Sequence, residues 1–215
     1  MTLKIKSILC ACLLGLFMAG CDSQEDMLKA QVDMLQKQVK GWQEHYLRLM
    51  CVQDALNSLE SLDQALENGL SLATYQQKIV AVNLVLESTG CEAREPLTQI
   101  MALHQLAANI WEARNNGKLP DMAEDLVTKV YPLWQQFEYP WPEELPKDLE
   151  QAFADYAQAS GPQGKQYLDK IKTALAADNT MAPLASIANQ LIWHQAHNQL
   201  VEFKNRLTTP PYPLQ

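Results

Sequence analysis

Residues 28–49, LKAQVDMLQKQVKGWQEHYLRL, decide the fold class. Apolar side chains fall at Leu28, Val32, Leu35, Val39, Trp42, Tyr46 and Leu49, at intervals of 4, 3, 4, 3, 4 and 3 residues. That is the heptad of a helix with one apolar seam. Val32, Val39 and Tyr46 take the a positions, and Leu28, Leu35, Trp42 and Leu49 the d positions. Valine at a with leucine at d suits two strands. The flanking e and g positions are mostly uncharged, with Gln31, Gln36, Gln38 and Gln43 among them, so charge pairing does little to select a partner. Beyond Leu49 the seam fails, because Gln53 and Glu60 fall at a-type positions while Met50 and Val52 widen the stripe. A widened stripe belongs to a helix packed in a bundle. Two arrangements fit: a helical stalk that becomes a bundle helix, or one long helix lying along its own domain. A homo-oligomer through the stalk is compatible with the first.

The rest of the chain continues the helical pattern. Asn68-Gly69 closes the first helix and Ser71 can cap a second, marked by Tyr75, Ile79, Val82 and Leu86 and ended at Gly90. Pro96 suits the first turn of a third, which carries Leu97, Ile100, Met101, Leu103, Leu106, Ile110 and Trp111 as far as Asn116-Gly117. Asp121 followed three residues later by Glu124 reads as a capping box for a fourth. Pro132, inside the stripe of Leu126, Val130, Trp134 and Phe137, is expected to kink it. Tyr139–Pro146 is too rich in proline for helix and should run extended. Shorter helices around Phe153 and around Ile171 follow, split by Ser160-Gly161-Pro162. A last long helix, with Thr180 as cap and Pro183 in its first turn, runs from Leu184 to Leu207. No strand alternation of useful length appears. The expected fold is all-α, a bundle of about six or seven helices with a long, partly coiled-coil-like N-terminal helix.

The ends of the chain carry other information. Lys4 and Lys6 precede an apolar run from Ile8 to Met18, the n- and h-regions of a secretory signal and too short to span a bilayer as a helix. Met18-Ala19-Gly20-Cys21 resembles the lipobox of bacterial lipoproteins, in which two small residues precede the cysteine. The resemblance implies removal of residues 1–20 and lipidation of Cys21 with several acyl chains, palmitate among them. In that family Asp directly after the cysteine is similar to the signal that retains a lipoprotein in the inner membrane, so Asp22 favours the inner over the outer membrane. The implied compartment is the periplasm. The organisation expected is signal (1–20), tether and stalk (21–49), bundle (50–207) and proline-rich tail (208–215).

Charge and cysteine count agree with export. The chain's formal charge is −8. Without residues 1–20, which hold two lysines and no acid, it is −10. Such a surface repels phosphate backbones and anionic headgroups, which argues against a nucleic-acid partner and assigns membrane attachment to the lipid. Of the five cysteines, Cys10 and Cys12 leave with the signal and Cys21 takes the lipid. Cys51 and Cys91 remain, an even pair in an oxidising compartment. Cys51 lies 19 residues before Leu70 and Cys91 21 residues after it. On an antiparallel helix pair, at about 1.5 Å per residue, they reach nearly the same height. A disulfide is expected, with two buried reduced thiols as the alternative.

Candidate chemistry is sparse. His194 and His197 lie one helical turn apart and could share a metal, yet the next acid, Glu202, is a turn further on. Solvated or boundary histidines are the plainer reading, and the same holds for His104 among Met101, Leu103, Ala107 and Ala108. Glu87-Ser88 is similar to the Glu-Ser pair of lytic transglycosylases, though only across these two residues, and no companion motif follows. No catalytic constellation and no cofactor motif is present. The Tyr139–Pro146 run offers Tyr139 and Trp141 as anchors for a protein partner; alternatively Trp141 plugs the chain's own core. The reading that follows is a tethered, non-catalytic scaffold, adaptor or accessory subunit of an envelope complex. The alternative is a helical envelope hydrolase acting on cell-wall glycan.

Overall fold

The computed structural model describes, with side chains, residues 24–92, 94–159, 161–177 and 182–209. Cys21, Asp22, residues 1–20 (read above as a signal), Thr180 and the prolines of the tail lie outside the described residues. All secondary structure in the described part is helical: α1 (Thr2–Glu67), α2 (Leu72–Ser88), α3 (Arg94–Asn115), α4 (Ala123–Asp125), α5 (Tyr131–Gln136), α6 (Lys147–Gln158), α7 (Pro162–Leu175) and α8 (Asp178–Thr208). The chain divides into two compact units. One is residues 49–208; the other comprises residues 1–48 with 209–215.

The bundle unit forms where the sequence widens its apolar stripe. Among the described residues of α1 the buried side chains begin at Val52 and continue through Ala55, Leu56, Leu59 and Leu62. Asn68 N–H reaches Gln64 O, Gly69 N–H reaches Leu66 O, and Gly69 adopts φ +79°, a left-handed value that a β-carbon would oppose. Ser71 Oγ then accepts from Thr74 N–H and starts α2, as a cap should. α2 buries Tyr75, Ile79, Val82 and Leu86. α3 is packed along α8 and also against α2, so its apolar residues surround it: Leu97, Ile100, Met101, Leu106 and Ile110 are all buried.

Between α3 and α6 the sequence reading needs two corrections. Asp121 does not act as a side-chain cap. It sits within a 3-10 turn (Leu119–Met122) set by Pro120, and the α4 start has no side-chain cap. Nor does Pro132 simply bend a regular helix. Residues 126–130 widen into a π-turn, closed by Tyr131 N–H on Leu126 O, and Pro132 then falls in the first turn of α5, where its missing N–H leaves no bond unmade. Pro183, expected in the first turn of the last helix, lies further inside α8, which already begins at Asp178.

Candidate functional site

The bundle's most concentrated chemistry is a polar chain buried where α1, α2, α3 and α8 meet. Trp193 of α8 donates its Nε1–H to Tyr75 Oη at 3.0 Å. Tyr75 Oη in turn donates to the backbone oxygen of His104 at 3.1 Å and lies 3.0 Å from His104 Nδ1. The assignment that satisfies all three contacts puts the imidazole hydrogen on Nδ1, donating to Tyr75 Oη. Nε2 is then a bare acceptor. It is buried without a hydrogen-bond partner, 3.7 Å from Asp63 Oδ1. Asp63 Oδ2 meets His197 Nδ1 at 3.1 Å, and His197, about half exposed, ends the chain at the surface.

Burial governs the electrostatics. His104 is fully enclosed, so desolvation of the charged ring lowers its pKa to about 4 and keeps it neutral. Desolvation also raises the Tyr75 hydroxyl above its ordinary range. The Asp63 carboxyl is only 13% exposed and is likewise raised by burial, against the hydrogen bond and charge of His197 that pull it down. Around these groups the rings of Tyr75, Trp111 and Trp193 lie with centroids about 6 Å apart. A separate groove of the bundle opens elsewhere. It has about 760 Å³ along α6 and α7, with Asp148, Asp155, Asp169 and Lys170 at its polar edge.

Most of this was missed by sequence reasoning, although a signal was there. His104 stands in mid-stripe between Ile100 and Ala108, and Asp63 continues the spacing of Val52, Leu56 and Leu59. A titratable residue at an apolar stripe position is a buried group in need of partners. His104 is therefore a core histidine, not a boundary one. His194 and His197 part company: His194 packs at a tilt against Phe137 with ring centroids 4.6 Å apart, whereas His197 takes Asp63. Glu202 faces Arg206 on its own helix at 3.8 Å. Among the described residues no group of three or more His, Cys, Asp or Glu side chains is placed to hold a metal ion.

The other singled-out residues fall as follows. Cys51 and Cys91 form a disulfide with Cα atoms 6.4 Å apart, within the span such a bond allows. Trp141 is half-buried and packed on Trp134 and Phe153 at 4.9 and 5.8 Å, with its Nε1 enclosed and unpartnered. Tyr139 is exposed, although its carbonyl accepts from Trp134 Nε1. Glu87 is exposed near the end of α2, and Ser88 Oγ donates to Val85 O. Among the described residues no helix is long and apolar enough to cross a membrane. Comparison with protein-family models, curated proteins and solved structures gives no match.

Proposed function

We propose that this protein is a lipid-tethered periplasmic lipoprotein that acts by binding another envelope protein, as a scaffold, adaptor or accessory subunit, without catalysis. The observation that carries the reading is the Cys51–Cys91 bridge. It belongs to an oxidising compartment, the one to which the lipobox-like Met18-Ala19-Gly20-Cys21 would deliver the chain. Two unconnected features thus agree on export. The buried titratable groups support the non-catalytic part: their hydrogen bonds join helices to one another. Exposed Tyr139 and the carboxylate-edged groove along α6 and α7 are the surfaces offered to a partner, the groove suiting a segment with basic side chains.

Gentle solubilisation of membranes followed by purification of the full chain tests this. The expected result is a stoichiometric protein partner, together with a mature N-terminus that mass spectrometry shows to be acylated on Cys21. Cys21→Ser should release the chain from membranes or leave it unprocessed. An unmodified mature chain starting at Cys21 would overturn the tether. Turnover of purified cell wall, abolished by Glu87→Gln, would replace the non-catalytic reading with the hydrolase.

A further inference from the structure

The apolar seam of residues 28–46 stands uncovered. Leu28, Val32, Leu35, Val39, Trp42 and Tyr46 are each between 36% and 61% exposed. Six large exposed apolar side chains in one heptad row are not an ordinary solvated helix face. Their period restricts what can cover them. An apolar row that returns every 3.5 residues follows a second helix wound around the first, whereas a helix lying on a flat surface follows 3.6.

Charge restricts it further. Residues 24–48 hold four acids (Glu25, Asp26, Asp33, Glu44) and four bases (Lys29, Lys37, Lys40, Arg48), so this segment is neutral within a strongly acidic chain. In the heptad frame Asp26, Asp33, Lys37, Lys40, Glu44 and Arg48 all take b, c and f positions, on the arc away from the seam. Glu25, at the a position that opens the frame, is paired with Lys29 one turn on, at 2.9 Å. In a parallel pair the e and g positions that face each other across the seam are Gln24–Lys29, Gln31–Gln36, Gln38–Gln43 and His45–Met50, with no acid–acid or lysine–lysine pair among them. Two copies can therefore approach along this face without the repulsion that their overall charge would otherwise impose.

The shape agrees. A groove of about 300 Å³ on this helix is lined by Val32, Leu35, Gln36 and Val39, with Lys40 and Gln43 at its end. The first four are an a, a d, an e and the next a position. In a parallel, in-register pair they form the four-residue hole that receives the partner helix's d side chain at the same level, its own Leu35. We infer that residues 28–46 pair with the same residues of a second copy as a parallel two-stranded coiled coil. The inference needs only this helix and its exposed seam, and does not depend on the lipid anchor.

Single cysteines placed in the full chain test it. Val32→Cys, Val39→Cys and Tyr46→Cys occupy successive a layers, while Lys37→Cys lies on the outer f arc. After mild copper-phenanthroline oxidation, non-reducing electrophoresis should show disulfide dimers from all three a-layer variants. The yield should be several-fold above both Lys37→Cys and the unsubstituted chain, whose native cysteines set the baseline. Adding Leu35→Asp to Val39→Cys should return the yield to that baseline while leaving the circular dichroism of the bundle unchanged. Cross-linking at only one of the three a layers would mean antiparallel pairing and would overturn the inference. So would yields no higher than that of Lys37→Cys, or cross-links made solely to a different protein.

Discussion

His104 has been taken out of water completely, and the consequence is a pH dependence whose sign can be worked out. An unperturbed histidine titrates near 6.5, whereas folded His104 titrates at about 4. Above pH 6.5 both states hold a neutral ring. Between about 6.5 and 4 the unfolded chain binds a proton that the folded chain refuses, so stability falls as pH falls and then levels off, by about 3 kcal/mol if the whole shift is expressed. Asp63 runs the other way, since its raised folded pKa relieves the cost of its burial as pH falls and offsets part of the loss. Glu60 and Glu67 add to that rise, and His197 opposes it. The urea midpoint should drop between pH about 7 and about 5, and His104→Gln should flatten the slope. A midpoint that rises over that range would contradict the account. Tyr75→Phe tests the neighbouring bonds. It leaves the Trp193 Nε1–H and the His104 Nδ1–H without an acceptor, which should cost about 1–3 kcal/mol while the helix content stays the same.

At the scale of elements, the α1–α2 hairpin is closed twice, by the turn at residues 68–71 and by the bridge between residues 40 apart in sequence. In the chain-entropy model a bridge over that separation contributes about 4 kcal/mol. Cys51→Ala with Cys91→Ala should therefore lower the unfolding free energy by a comparable amount in denaturant titrations. Reducing agent should shift the parent protein in the same direction and leave the double variant unmoved. The segment between α5 and α6 poses a different question, because Trp141 belongs to a non-helical stretch yet packs on Trp134 and Phe153. Trp141→Ala should cost about 2–3 kcal/mol, somewhat below the value for a fully buried tryptophan. An unchanged unfolding midpoint would return Trp141 to the role of a partner anchor. Tyr139→Ala, exposed at the same segment, should leave stability unchanged within the usual scatter of surface substitutions.

At the scale of the whole molecule, the buried hydrophobic residues among those described all fall between Val52 and Leu207, inside the unit formed by residues 49–208. That unit has its own core, and a core is what makes unfolding cooperative. A chain beginning at Leu49 should keep a single thermal transition within a few degrees of the full chain at the same pH. A broad, non-cooperative melt would show that residues before Leu49 belong to the folding unit. If the seam pairs as inferred, the shortened chain should also sediment as a monomer.

Periodicity by itself determined that this protein is all-α, where its first hairpin turns, and that Cys51 and Cys91 come to one level. Each of these follows from local spacing, from glycine and capping chemistry, and from the fixed rise of a helix. The turn at Asp121 was misread as a capping box, and the π-turn before Pro132 was missed, because 3-10, α and π turns share similar local sequence. The choice among them is made by which carbonyls the packed segment leaves free. Only the tertiary structure joined Asp63, Tyr75, His104, Trp193 and His197. These residues lie on α1, α2, α3 and α8, and no interval along the chain records which helical faces will meet. It also decided that His197 answers to Asp63 and not to His194. Helical spacing puts two histidines on one face, but partners arriving from other helices decide what each one touches.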